Sequence, residues 1–441
     1  MKHKKLFITL TAVFSVLVFL GTFLLIWFVG DRYPDFEKFR QEFAIEGLDE
    51  GAVPQGIATY YGNYTDGEDE NGKPITKQQQ YFLTSAYMND GSPSRIYVTG
   101  QVTGYVGYVT MLNEDGTKHT GHVGGIATNG ARLWVTDDYS ILVAQASEEY
   151  AKDNILKEII EKAAKNTEAG DKAPYTIRFT ASFKANCRAS FLYYSDDSRY
   201  TGTTYDRLYV GEFYRSGNYE TAESHHVVTP FGYENKAFMY EYNIDTNTSN
   251  PYGLTRIDST LKDTTISENV PKIQKIYSLP EKVQGIAFSG RTGYSTNDGY
   301  LVLSQSYGLS NSHLLCFDWK TINSSTTNTT SNKSNRILYT QLNDGHSFAY
   351  DEVYITAGDK KTPYTDSSLQ VYYVDKSNPD IFLKDYSIPS MSEGMCVVTS
   401  YGAQNQAIER IYVLFESGSK KYGLFTRERI KNVYSFIPRV H

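Results

Sequence analysis

A short element recurs along the chain and limits what it can fold into. Four copies are plain: Gln55-Gly56-Ile57-Ala58, Gly124-Gly125-Ile126-Ala127, Gln284-Gly285-Ile286-Ala287 and Glu393-Gly394-Met395-Cys396. Two weaker copies are Ala189-Ser190-Phe191-Leu192 and His346-Ser347-Phe348-Ala349. A strand-like run follows each copy, as in Arg132-Leu133-Trp134-Val135, Arg207-Leu208-Tyr209-Val210 and Arg410-Ile411-Tyr412-Val413. Internal repetition of this kind indicates an array of small β units, none of which buries a core alone.

Laid over one another, the units show four strands each, with the Gly-Ile-Ala element innermost. Turn chemistry such as Asn89-Asp90-Gly91-Ser92-Pro93 separates the strands. Four antiparallel strands repeated radially is the plan of a propeller. The expected fold is therefore an all-β, six-bladed β-propeller over residues 53–441, with five or seven blades as neighbouring counts. A two-sheet sandwich is the competing fold, but it does not explain one recurring four-part order. At 441 residues the chain exceeds one ordinary core. A radial array avoids that limit, and 38 Tyr and 22 Phe suit half-buried pleated surfaces.

Three segments fall outside the repeat. Residues 147–172 carry Tyr150, Ile155, Ile159, Ile160 and Ala163 at helical spacing, which predicts an amphipathic helix on the propeller surface. Residues 322–335 form a polar Ser/Thr/Asn loop. Residues 30–52 read as a stalk with a short helix over Asp35 to Phe43.

Leu6 to Val29 is an apolar run long enough to cross a bilayer as a helix. Met1-Lys2-His3-Lys4-Lys5 precedes it, so the expected topology is a cytoplasmic tail at 1–5, a signal anchor at 6–29 and an extracellular propeller. A cleaved signal peptide is the alternative, but the run is long for one and no small-residue cleavage site follows Trp27-Phe28-Val29. The net charge of −7 and the lack of a basic stripe exclude a general nucleic-acid binder. Cys187, Cys316 and Cys396 lack paired spacing and read as buried thiols.

Propellers hold ligands at the mouth of the central channel. The residue before each small residue of the repeat is expected to face it, with neighbours just upstream. This gives Gln55, His122, Arg188, Gln284, His346 and Glu393 as candidate ligand-binding residues. Histidines there would serve as bases or ligands, glutamines would hold hydroxyls or carbonyls, and Glu393 is the candidate metal ligand. Calcium needs six to eight oxygens, and the equivalent positions supply one carboxylate, Glu393.

The Gly-Ile-Ala inner strand, the Arg-aliphatic-aromatic-Val second strand and Glu393-Gly394 together resemble the six-bladed propellers of the gluconolactonase, strictosidine-synthase-like and NHL kind, over roughly Val53 to Pro438. The resemblance implies a metal-ligand role for Glu393 in a Glu-Gly motif. The Asn and Asp ligands of gluconolactonase-type enzymes have no match at the equivalent positions here. Two functions follow as expectations. One is a membrane-anchored extracellular binding module for a protein, glycan or small ligand, with no cofactor. The other is a metal-dependent lactonase or esterase-like hydrolase using a divalent cation such as calcium.

Overall fold

The computed structural model describes residues 33–150, 154–169, 175–196, 206–257, 265–266, 270–290, 299–324, 333–401, 407–423, 426 and 428–438, together with residues 15, 16, 18 and 21. Most of the expected anchor, 6–29, lies outside the described residues, among which no helix is long and apolar enough to cross a membrane.

The sheet order is that of a β-propeller, and among the described residues it has five blades. The inner strands are Ala52–Glu68, Ile126–Thr128, Ala189–Ser195, Val283–Ser289 and Ser392–Tyr401. Neighbouring inner strands touch in that order, and the last touches the first, so the ring closes. Four hydrophobic clusters lie between adjacent blades. Each blade therefore buries its faces only against its neighbours, as a radial repeat requires.

The ring is crowded at its axis, which explains the glycines of the repeat. A Cβ on Gly56 would lie 2.8 Å from the Ile126 nitrogen, and one on Gly125 would lie 2.4 Å from that of Leu192. One on Gly285 would meet the Glu393 carbonyl at 2.7 Å, and one on Gly394 the Gly56 Cα at 2.9 Å. Four of the five blade junctions are thus backbone against backbone. Only glycine allows that approach. Four of the inner strands also start with a register break, at Pro54/Gly56, Ala189/Phe191, Val283/Gly285 and Ser392/Met395. Such bulges lift a residue out of the ladder and re-aim its side chain. Gln55, Gln284 and Glu393 sit at these breaks.

Among the described residues the expected sixth blade does not form. His346-Ser347-Phe348-Ala349 leads into a hairpin, Phe348–Ala357 with Lys360–Asp366, that belongs to a separate sheet and packs on blade three through Phe348 and Tyr350. Residues 319–381 form an insertion between the third and outer strands of blade four, Ser312–Asp318 and Phe382–Ile388. Within it, Gln370–Tyr373 runs parallel to Ile273–Leu279 and, with Arg336–Leu338, widens blade three. The local pattern marks these runs as strands. Their partners are set by distant packing.

The stalk reading is also corrected. Phe36–Lys38 is a single 3-10 turn, and Arg40–Ala44 pairs with Asn432–Phe436 as the outer strand of blade five. Its flanking aromatics fix it there: Phe39 stacks on Phe436 at 4.5 Å and Phe43 packs on Phe82 at 4.5 Å. The amphipathic insertion forms the helix Ile155–Ala169. Ile155, Leu156, Ile159 and Ala163 are buried in the cluster between blades one and two. Gly107 lets it approach, since a Cβ there would lie 2.0 Å from the Ala163 carbonyl. Thr176–Arg178 then joins blade one in parallel, while Ala181–Lys184 supplies the outer strand of blade two.

The axial contacts give a direct test. Gly394→Ala should cost about 1–3 kcal/mol, the usual penalty of overpacking, in urea unfolding of the full chain. Gly290→Ala should be near neutral, because the nearest atom to a Cβ there is 4.0 Å away. Equal stability of the two variants would refute the axial packing argument.

Candidate functional site

The two ends of the ring differ. At the starts of the inner strands, polar side chains close the axis. Glu393 is 3% exposed and hydrogen-bonds to the half-buried Glu416. The Gln55 amide donates to Glu416 Oε2 at 3.1 Å, and the Tyr422 hydroxyl donates to the same oxygen at 3.1 Å. Burial raises both carboxyls above the ordinary range, and the charge of Glu416 raises Glu393 further. The donors to Glu416, Tyr422 first, oppose its rise. The pair therefore retains a proton above the ordinary carboxylate range. The two titrate as one coupled unit.

His122 lies at the rim of the same mouth, its ring 4.4 Å from that of Tyr87. Lys421 donates to the Tyr87 hydroxyl at 2.6 Å. Crowding by neighbours, then the fields of Lys421 and Arg188, push the His122 imidazole down to about 4, although its surface remains open to water. The imidazole is neutral at physiological pH.

The six sequence-derived candidates are thus only partly brought together. Gln55 and Glu393 meet through Glu416, and His122 stands nearby beside Tyr87. Gln284 is half-buried at the break that opens blade four. Arg188 pairs with Asp138 at 2.6 Å and lies over Tyr219. With His346 it lines a separate cavity of about 700 Å³ beside the insertion. His346 is not axial, because its repeat copy belongs to the inserted hairpin. In that cavity His225 Nδ1 faces Glu212 Oε1 at 2.6 Å, and its ring stacks on Phe238. The three cysteines are buried and unpaired.

The opposite end is open. A basin of about 1440 Å³ is formed by the C-terminal ends of the inner strands of all five blades. Aromatic rings mark its wall. Tyr61 and Tyr401, on the adjoining blades one and five, are 58% and 72% exposed. Across from them Trp319 packs on Phe288 at 4.6 Å and on Tyr277 at 5.1 Å. Polar groups between the rings are held in place. Glu241, 2% exposed, takes the Tyr277 hydroxyl at 2.7 Å, with Arg207 at 3.3 Å and Lys275 at 3.7 Å. Asn323 Oδ1 accepts from Lys275 at 3.1 Å and from Tyr277 at 2.9 Å. Gln80 donates to Thr59, and the Gly290 amide donates to Glu409 at 2.6 Å.

No family model matches the chain, and no curated protein does. Among solved structures, the WD40 domain of coronin from Toxoplasma gondii aligns with 85% of this chain and 72% of its own, at 7% identity and a TM-score of 0.25. The propeller assignment rests on the sheet order and ring closure described above.

None of the basin residues was among the sequence candidates. A signal was present: Tyr60-Tyr61, Tyr193-Tyr194 and Phe288 follow the repeat by a few residues. They sit where an inner strand emerges from the ring.

The carboxyl pair makes a pH prediction. Both groups have raised values in the folded state, so the native protein binds more protons than the unfolded chain just above the ordinary carboxylate range. Stability then falls as pH rises from that range towards the folded values. Glu393→Gln removes this term. The melting temperature of the variant, measured against wild type, should gain steadily from pH 5 to pH 8. A constant difference would mean that the two carboxyls do not share a proton.

Proposed function

We propose that the protein is a membrane-anchored, extracellular binding module that holds its partner in the basin at the C-terminal ends of the inner strands. The observation that carries this reading is the basin itself, about 1440 Å³ and built from every blade of the ring. Small-molecule clefts are usually about 300–1,000 Å³, so the space suits a longer ligand. Its wall alternates aromatic faces with held polar groups, the mixture that gives orientation and specificity in binding sites. The anchor part of the proposal rests on the apolar run Leu6 to Val29 behind a basic head.

A second reading, a hydrolase, draws on the Glu393–Glu416 pair, since a protonated carboxyl beside an ionised one is a common acid–base arrangement. Its metal-dependent form fits the residues poorly. The oxygens of the pair are engaged with each other, Gln55 and Tyr422, and no group of three or more His, Cys, Asp or Glu converges among the described residues. Calcium requires about six to eight oxygens.

Thermal shift of the full chain in micelles separates the readings. The ligand panel would hold neutral oligosaccharides, acidic oligosaccharides and short peptides. At least one class should raise the melting temperature of wild type and of Glu393→Gln, and should fail on the Tyr61→Ala/Tyr401→Ala double variant. A ligand that survives the double substitution and is lost in Glu393→Gln would move function to the other mouth.

A further inference from the structure

Resting on the basin reading above, we propose that the ligand is a neutral oligosaccharide of several units. Its sugar rings stack on Tyr61 and Tyr401, and its hydroxyls bond to fixed groups such as Asn323 and Gln80.

Charge is the first argument. Among the described residues, Arg207, Lys275 and Lys320 face Asp196, Glu241 and Glu409 in the basin wall, three cations against three carboxylates. Arg207 and Lys275 both lie on the buried Glu241, so their charge is answered within the wall. Counted over the described residues, such a wall carries no net charge to concentrate a polyanion or a polycation. Phosphorylated, sulfated and strongly basic ligands are thereby disfavoured.

Surface chemistry is the second argument. Two tyrosines, Tyr61 and Tyr401, stand exposed on adjoining inner strands and offer aromatic faces to the basin. A pyranose ring offers a C–H face to an aromatic plane and a rim of hydroxyls to polar neighbours. Tyrosine matches both needs, with an apolar body and a polar tip. The polar partners are already positioned. Asn323 is fixed by Lys275, Tyr277 and the Trp319 carbonyl, which its amide meets at 3.2 Å. Asn129 is fixed by the amides of Ala131 and Arg132 at 3.1 and 2.9 Å. Pre-positioned donors and acceptors lower the ordering cost of binding.

Shape is the third. A peptide that binds by strand addition takes a free sheet edge. Here the inner-strand edges are packed against one another at the axis, and the basin wall is made of side chains at strand ends. The volume is that of a chain of units rather than one small molecule.

Tryptophan fluorescence reads this site. Of the three tryptophans, Trp134 is fully buried, Trp319 lines the basin and Trp27 belongs to the apolar run. The full chain would be held in a detergent without a sugar headgroup. It would be titrated with maltohexaose, cellohexaose and chitohexaose, and in parallel with mixed hexapeptides and heparin hexasaccharide. At least one neutral hexasaccharide should change the emission saturably. Trp319→Phe should remove the signal while calorimetry still detects binding. Tyr61→Ala and Tyr401→Ala should each weaken affinity about threefold to tenfold, as expected for loss of one stacked ring, with the melting temperature unchanged because both side chains are exposed. Neutral sugars that bind equally well to both tyrosine variants would overturn the proposal. A saturable, tyrosine-dependent response to peptides or heparin, with none to neutral sugars, would also overturn it and leave the basin reading standing. No response in any class would count against both.

Discussion

Backbone meets backbone at the axis of this ring, and the rest of the molecule is arranged around that contact. With five blades the inner strands are drawn close enough that a single methyl group at Gly56, Gly125, Gly285 or Gly394 would strike the next strand. A wider ring would leave room for side chains there. Blade number and the glycines of the repeat are therefore one fact seen twice. The interblade cores lie farther out, where the faces of adjacent sheets meet.

The crowded axis also makes the two ends of the channel chemically unlike. At the strand starts, the register breaks turn Gln55 and Glu393 inward, where they meet Glu416 and Tyr422 in a compact hydrogen-bonded cluster. That cluster holds a proton and leaves little room for a ligand. At the strand ends the blades diverge, hairpins such as Ala52–Glu68 with Pro74–Met88 run on past the sheet, and the space between them widens into the basin. A narrow waist and a broad mouth are consequences of the same geometry. The sealed end is a hydrogen-bonded polar cluster, and the open end is the basin.

How much of this was legible in the chain depends on how local the cause is. The inner strands announce themselves because the glycine requirement and the bulge are local, repeated constraints. The surface helix is legible because one face of Ile155–Ala169 is apolar at helical spacing. Strand partners are not local. Gln370–Tyr373 reads as the third strand of a sixth unit, yet its partner is Ile273–Leu279, about a hundred residues away. Phe36, Phe39 and Phe43 are spaced as on a helix, yet they pack on Tyr434, Phe436 and Phe82, which no local pattern reveals. The site divides the same way. Gln55 and Glu393 are marked by the repeat, whereas Glu416 and Tyr422 reach them only through the fold of blade five. Tyr61 and Tyr401 lie just beyond the repeat, where a search confined to it does not look.

Blade five joins the beginning of the folded chain to its end. Arg40–Ala44 pairs with Asn432–Phe436, which follows every other blade strand in the chain. Until that late segment leaves the ribosome, the first strand has no mate and the circle is an open arc. Blades one to four can stack as they appear, but the latch engages only once Asn432–Phe436 is made. Long-range pairing of this sort is slow and exposes unpaired edges meanwhile. A chain that kept Phe382–Ile388 but lacked Asn432–Phe436 would carry four finished sheets and an unfastened seam.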